Sequence, residues 1–392
     1  MKTIKDEGIL SKERFNVDVK LDKAEVQNAF NYITKKLDKS MEMFTHKFPA
    51  PASDNNVYRA IDNTDWTASF YTGMLWLAYE MTGEEKYKNV AKIHTQSFKE
   101  RAYHGDVDTH DLGFLYTLSC VADYKLTGDT EAKDIAVKAA DLMLNRWKEK
   151  GSFIQAWGKT DDLTKYRFII DCLMNLPLLY WASEVTGNLE YAIKAYRHLN
   201  TTVENIVRED ASAFHTFYMN PETGEPDHGE THQGYSDTSC WARGQAWAVY
   251  GLPLSYKYTK DPIALEVCNK MTNYYLNRLP EDFIPYWDLI FTSGTEERDS
   301  SAAAIAVCGL LELIKYTDDD ELKKIYKNAA YSTLKSLIEN YTTKETAESN
   351  GILLHGVYNK NGGTGVDECV LWGDYYYAEA LVRCLKDWEL YW

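Results

Sequence analysis

The sequence predicts an all-α protein, an (α/α)6 barrel of six helical hairpins, and three observations predict it. A plan of apolar helix, Thr-Gly stop and amphipathic helix recurs along the chain. The first helix of each pair is more apolar than the second, the pattern of an inner and an outer layer. The stops at Thr82, Thr127, Thr186, Thr259 and Thr317 are 45, 59, 73 and 58 residues apart, too irregular for an open solenoid of equal stacked repeats.

An amphipathic helix over roughly residues 25–46 opens the series. FYTGMLWLAYEMTGEEKYKNVAKIHTQSF follows, with Gly83 as a C-terminal cap and apolar positions at Tyr87, Val90, Ala91, His94 and Phe98. LGFLYTLSCVADYKLTGDTEAKDIAVKAADLML repeats the plan around Gly128, and CLMNLPLLYWASEVTGNLEYAIKAYRHL around Gly187. In GQAWAVYGLPLSYKYTKDPIALEVCNKM and SSAAAIAVCGLLELIKYTDDDELKKIYKNAA, Lys260 and Asp318 take the place of the glycine. A last helix starting near Trp372 pairs with the first to close the ring. No Pro- or Ser-rich linker interrupts the chain, which predicts one catalytic domain over residues 1–392 with 1–24 as an N-terminal extension. The variable length lies in segments leading into inner helices, chiefly 149–166 and 208–240, where long ordered loops tend to carry function.

The formal charge of −16 argues against nucleic-acid binding through a basic surface. Hydrophobic residues form 45% of the chain, and its 29 Tyr and 11 Trp provide both a core and flat faces for stacking on sugar rings. Seven cysteines without a C-x-x-C pair suit a reducing compartment. The start MKTIKDEGILSKERF has no apolar core of signal-peptide length, and the longest apolar stretch, Ala302 to Leu311, is too short to span a bilayer. A soluble, cytoplasmic protein with no membrane partner is expected.

In a closed ring the six inner helices run the same way, so their N-termini meet at one mouth. There the chain places Trp66, His110 and Asp111, Asp171, Trp241 and Arg243, Arg298 to Ser301, and Trp372 with Asp374. Asp111 reads either as a helix N-cap or as a functional carboxylate. Asp171, set between FII and CLM, reads as a functional carboxylate in preference to a structural one; burial would raise its pKa, and a helix N-terminus or Arg243 would lower it. Arg243 offers a planar fork for a substrate carboxylate or an ordinary ion pair. His215 and His232-Gln233 lack metal-ligand spacing and suit hydrogen bonding, so no metal and no cofactor is expected. Trp66, Trp157, Trp241 and Trp247 are core or stacking residues. Neither a phosphate loop nor a G-x-S-x-G elbow is present.

IDNTDWT, HDLGFLY, IQAWG, IIDCLMNLPLL, FHTFY, THQG, CWARGQAW, YWD, RDSSAAAIAVCGLLEL and WGDYYYAEAL, in this order, resemble the unsaturated glucuronyl hydrolases of glycoside hydrolase family 88 from about residue 25 to the C-terminus. The resemblance implies the (α/α)6 barrel and a hydrolysis that begins by hydrating the C4=C5 double bond of an unsaturated uronic acid. That sugar is left at the non-reducing end of chondroitin, hyaluronan or heparin oligosaccharides by polysaccharide lyases. By the same resemblance Asp171 protonates C4 and activates the water that adds at C5, and Asp111 supports it. Trp66, Phe70, Trp157, His215, Gln233, Trp241, Arg243, Trp247 and Tyr358 are the implied substrate contacts. The segment LLHGVYNKNGGTGVDE has no serine and only Asn359 and Lys360 as polar candidates where some members bind sulfate, which predicts weak dependence on sulfation. An unsaturated rhamnogalacturonyl hydrolase and a non-catalytic oligosaccharide-binding protein of helical repeats are the alternatives.

Overall fold

Twelve helical segments alternate between an inner layer buried on all sides and an outer layer with one buried stripe. The computed structural model describes residues 2–392. The outer helices are α1 (Lys23–Ser40), α3 (Glu85–His104), α6 (Thr130–Leu144), α8 (Leu189–Asn205), α10 (Pro262–Leu276) and α12 (Asp320–Asn340). Five inner helices are single: α2 (Ala68–Thr82), α7 (Cys172–Thr186), α9 (Ala242–Thr259), α11 (Ser300–Leu313) and α13 (Leu371–Leu385). The other is α4 (Leu112–Tyr116) and α5 (Ala122–Thr127), joined by a π-helical turn over Thr117–Val121. Every residue of α11 is buried, as an apolar helix inside a ring must be. Each inner helix packs on the next, α2 on α4, α4 on α7, α7 on α9, α9 on α11, α11 on α13 and α13 on α2, so the ring is closed, and α1 packs on α13.

The Thr-Gly stops act as expected. Gly83, Gly128 and Gly187 take φ of +71°, +74° and +73°, the left-handed cap that a Cβ penalises. Lys260 adopts the same conformation at φ +55°. Asp318 does not: α11 ends at Leu313 with a right-handed Ile314, and Asp319 then caps α12 through Leu322 N–H at 2.9 Å. The opening helix is also shorter than its pattern. It stops at Ser40, and Phe44 and Phe48 turn into the core while Phe48–Pro49 pair with Ala60–Ile61.

The two ends of the barrel differ. At the C-terminal ends of the inner helices the tail closes the opening. Trp388, Leu390, Tyr391 and Trp392 are buried. Trp392 stacks on Tyr376 at 6.1 Å, its Nε1 donates to Glu379 at 2.9 Å, and Lys125 donates to the Leu390 carbonyl at 2.6 Å. At the other end lie the connecting segments. Arg167–Ile169, Thr216–Met219 and Pro226–Glu230 form an antiparallel sheet, and Gly356–Asn359 pairs with Thr364–Glu368. Ahead of α1 the chain straps the outer layer: Asn273 donates to Asp6 at 2.9 Å, Arg278 pairs with Glu7 at 2.6 Å, and Asn328 donates to the Phe15 carbonyl at 2.7 Å. Among the described residues no helix is long and apolar enough to cross a membrane.

Candidate active site

Two adjacent inner helices bring the carboxylates together. Asp111 stands immediately before α4 and Asp171 immediately before α7. The N-cap reading of Asp111 is overturned, because its side chain caps nothing. The Phe114 N–H donates instead to Asn175 Oδ1 at 2.9 Å, and Asn175 Nδ2 donates to the Asp171 carbonyl at 3.2 Å. Gly113 permits this crossing, since a Cβ there would lie 2.3 Å from Asn175 Cα. With its helix capped from next door, Asp111 accepts from the Thr109 hydroxyl, at 2.7 Å on Oδ2.

His110 completes the group. It is wholly buried, and its Nε2 lies 3.2 Å from Asp171 Oδ1 and 3.5 Å from Asp111 Oδ1. Burial pushes the Asp111 carboxyl up to about 6, with the Asp171 charge adding to the rise and His110 opposing it. For His110 burial disfavours the cation, yet Asp171 and Asp111 outweigh it and the imidazole is more basic than usual. His110, Asp111 and Asp171 are also the only three-residue cluster of metal-ligating side chains among the described residues, one donor short of a closed structural zinc set.

The walls around the carboxylates are aromatic. Trp66 stacks on Trp372 at 5.1 Å and donates its Nε1 to Tyr358 OH at 3.1 Å. Phe70 and Trp247 are fully buried and pack on Phe114 at 5.5 and 5.3 Å, so they form the floor. Trp157 faces the Arg167 guanidinium at 4.3 Å. His215 lies against Trp241 at 4.4 Å, and its Nδ1 accepts from the His232 and Gln233 N–H groups at 2.9 and 3.2 Å. Burial holds this imidazole neutral, so its proton is on Nε2 and it is a hydrogen-bond donor.

Arg243 is held internally. Its guanidinium lies between Trp241 and Trp372 at 4.4 and 4.5 Å and faces buried Asp299 at 3.7 Å. It donates to Gln233 Oε1 and to the Val357 and Tyr358 carbonyls. Burial lowers its pKa to about 10 against the pull of Asp299, leaving it a cation at neutral pH. The ion pair with Asp299 is present, and the cation it leaves at the mouth is the group the sequence offers to a substrate carboxylate. The fork fixes the Tyr358 strand and Gln233 at the mouth.

A protein-family model described as Glycosyl Hydrolase Family 88 matches residues 34–389. The chain belongs to this family. It is 49% identical to an unsaturated chondroitin disaccharide hydrolase of Streptococcus pneumoniae over the whole of both chains. It is 42% identical to an unsaturated glucuronyl hydrolase of Bacillus sp. (strain GL1), covering 90% of this chain and 95% of the relative. The crystal structure of the unsaturated glucuronyl hydrolase of Streptococcus agalactiae superposes with a TM-score of 0.97 at 50% identity, over all of both chains. An aspartate-to-asparagine variant of that enzyme, complexed with dGlcA-GalNAc6S, superposes at 0.90 with 47% identity and full coverage of both chains.

The structure brings Asp111, Asp171 and the nine residues that the resemblance implies as contacts to the same end of the barrel. The sequence does not disclose the parts played by His110, Asn175, Asp299 and Trp372. Asn175 follows Asp171 by one helical turn, the single local signal for it.

Proposed function

We propose that this chain is an unsaturated glucuronyl hydrolase, releasing the 4,5-unsaturated uronic acid from the non-reducing end of lyase-generated glycosaminoglycan oligosaccharides, with chondroitin disaccharides as the first substrates to test. The observation that carries the reading is the meeting of Asp111, Asp171 and His110, within 3.5 Å contacts, inside an aromatic mouth. The family relationship to chondroitin and glucuronyl hydrolases supports it.

In this reading the sugar stacks on Trp66 and Trp157 while His215 Nε2–H and Tyr358 bind its polar edges. Asp171 delivers a proton to C4, and positive charge develops at C5. Water adds at C5 and returns its proton to Asp171, now the base. The hemiketal opens, the ring oxygen leaves C5 as a carbonyl forms there, and the glycosidic linkage at C1 falls apart. Ionised Asp111 lies beside the developing cation and stabilises it. The substrate carboxylate enters a chain of net charge −16, so its local attraction comes from the Arg243 cation together with the inner-helix N-termini.

Loss of ultraviolet absorbance from the conjugated C4=C5 bond is the direct assay. Unsaturated chondroitin disaccharide loses its absorbance with the wild type. Asp171→Asn slows this by about 100-fold or more, the contribution of a positioned acid-base group, while equilibrium binding of the disaccharide is retained. Unchanged absorbance with every unsaturated disaccharide, including rhamnogalacturonan fragments, would sink the reading.

Weak dependence on sulfation belongs to the same proposal. Lys360 is paired with Glu297 and lies 3.7 Å from Glu296, and Asn359 Oδ1 is taken by the Gly362 N–H at 3.0 Å. Neutralised in this way, the hairpin offers a sulfate little net charge. Matched sulfated and unsulfated chondroitin disaccharides differ in kcat/KM by less than about fivefold, or roughly 1 kcal/mol, the scale of an exposed ion pair. A larger preference for the sulfated sugar contradicts this.

A further inference from the structure

Among the buried polar atoms at the mouth without a hydrogen-bond partner, three face one another in one group: His110 Nε2, Asp111 Oδ1 and Asp171 Oδ1. Each such orphan costs about 1–3 kcal/mol, so three facing one another mark a place built for something they share. Nε2 stands 3.2 Å from one carboxylate oxygen and 3.5 Å from the other. The ring is wholly buried, the backbone N–H of His110 is held by the Ala156 carbonyl at 2.6 Å, and ring Nδ1 has no partner of its own, so the two carboxylate oxygens are the acceptors the ring faces.

We infer that His110 is a positioning residue of the hydration reaction, keeping on Nε2 the proton that Asp171 delivers to C4 and holding the two carboxylates in one geometry. The inference rests on the reading of Asp171 as the acid. At rest the group is one imidazolium and two carboxylates, net −1. Transfer of the proton from Nε2 to Asp171 Oδ1 gives a neutral imidazole, one carboxylic acid and one carboxylate, again net −1. The move therefore changes no net charge in a buried site, where an added charge would be costly. Asp171 then passes the proton to C4. The water adding at C5 loses a proton to Asp171, which returns it to Nε2, so the group ends as it began.

The charged and titratable groups around the ring are few. Asp171 and Asp111 favour its cation, Arg146 opposes it from beside Asp108, and His198 is kept neutral by burial. The balance makes the His110 cation easier to form than that of a free imidazole.

His110→Asn and His110→Gln test the inference through the pH profile. Without the store, the carboxylates alone must hold the proton. The alkaline limb of kcat then moves to lower pH by about one unit or more, while KM stays within about twofold. A limb within about 0.3 unit of the wild type, in a folded variant of reduced kcat, overturns the inference, since a merely structural histidine would lower activity without moving it. A second measurement leaves His110 in place. In 15N-histidine NMR of Asp171→Asn, one of the nine histidines loses a neighbouring charge and titrates at lower pH than in the wild type. No histidine doing so overturns the inference as well. Normal turnover by Asp171→Asn would instead overturn the acid assignment beneath it, so the two failures are told apart.

Discussion

At the scale of single residues, the site holds its supporting carboxylate, Asp111, at a cost that can be measured. Asp111 binds its proton more tightly when folded, with its carboxyl near 6, than in an unfolded chain, where it is near 4. The folded state therefore loses stability as pH rises through this window, and the loss persists at neutral pH. Asp111→Asn removes it. The variant unfolds at a higher temperature than the wild type at neutral pH, by on the order of 1–3 kcal/mol, and the advantage disappears below about pH 4. Thermal unfolding at the two pH values checks this, and a wild type that is the more stable at neutral pH refutes it. Turnover falls in the same variant, because an amide cannot carry the charge that faces C5. The two aspartates are legible in HDLGF and IIDCLMN because ordered motifs carry them. His110 is not, because a histidine beside an apparent helix cap has no local mark of its role. Its meaning comes from Asp171, sixty-one residues later in the chain.

At the scale of elements, the crossing of α4 and α7 decides whether Asp111 is free. Gly113→Ala drives a Cβ to 2.3 Å from Asn175 Cα, and backbone cannot give way as a flexible side chain does. Separation of the helices costs about 1–3 kcal/mol in a urea melt, and kcat falls with it. An unchanged midpoint would show that the crossing is looser than described. Asn175→Ala leaves the Phe114 N–H without its cap, and Asp111 turns to supply one. Activity then falls further than stability, which drops by about 1 kcal/mol, the usual cost of a lost cap. An activity equal to the wild type would remove Asn175 from the account. The helices themselves are largely legible, since an apolar stripe and a left-handed glycine are local signals. Asp318 misled because α11 ends five residues earlier, through packing that no local pattern records. The π-helical turn in the second inner helix has no sequence signal, and neither does a cap supplied by a neighbouring helix.

At the scale of the whole molecule, ring closure was readable by counting hairpins, whereas the tail that seals the ring was not. After the last helix, KDWELYW has no periodicity to say where it goes, yet Trp392 lies on Tyr376, which packs against Trp247 in the floor at 5.5 Å. Trp392→Ala empties this position and destabilises the fold by about 3–5 kcal/mol, while Trp392→Phe retains most of the stability. Chemical denaturation of the pair checks this, and equal losses from both would place the weight on the Glu379 hydrogen bond instead. The seal also governs how the protein meets its polymer. A pocket open at one end cannot thread a strand, so it accepts only termini. In a mixture of lyase fragments its throughput then follows the number of ends and not the mass of polysaccharide, and every cut made upstream creates another place for it to work.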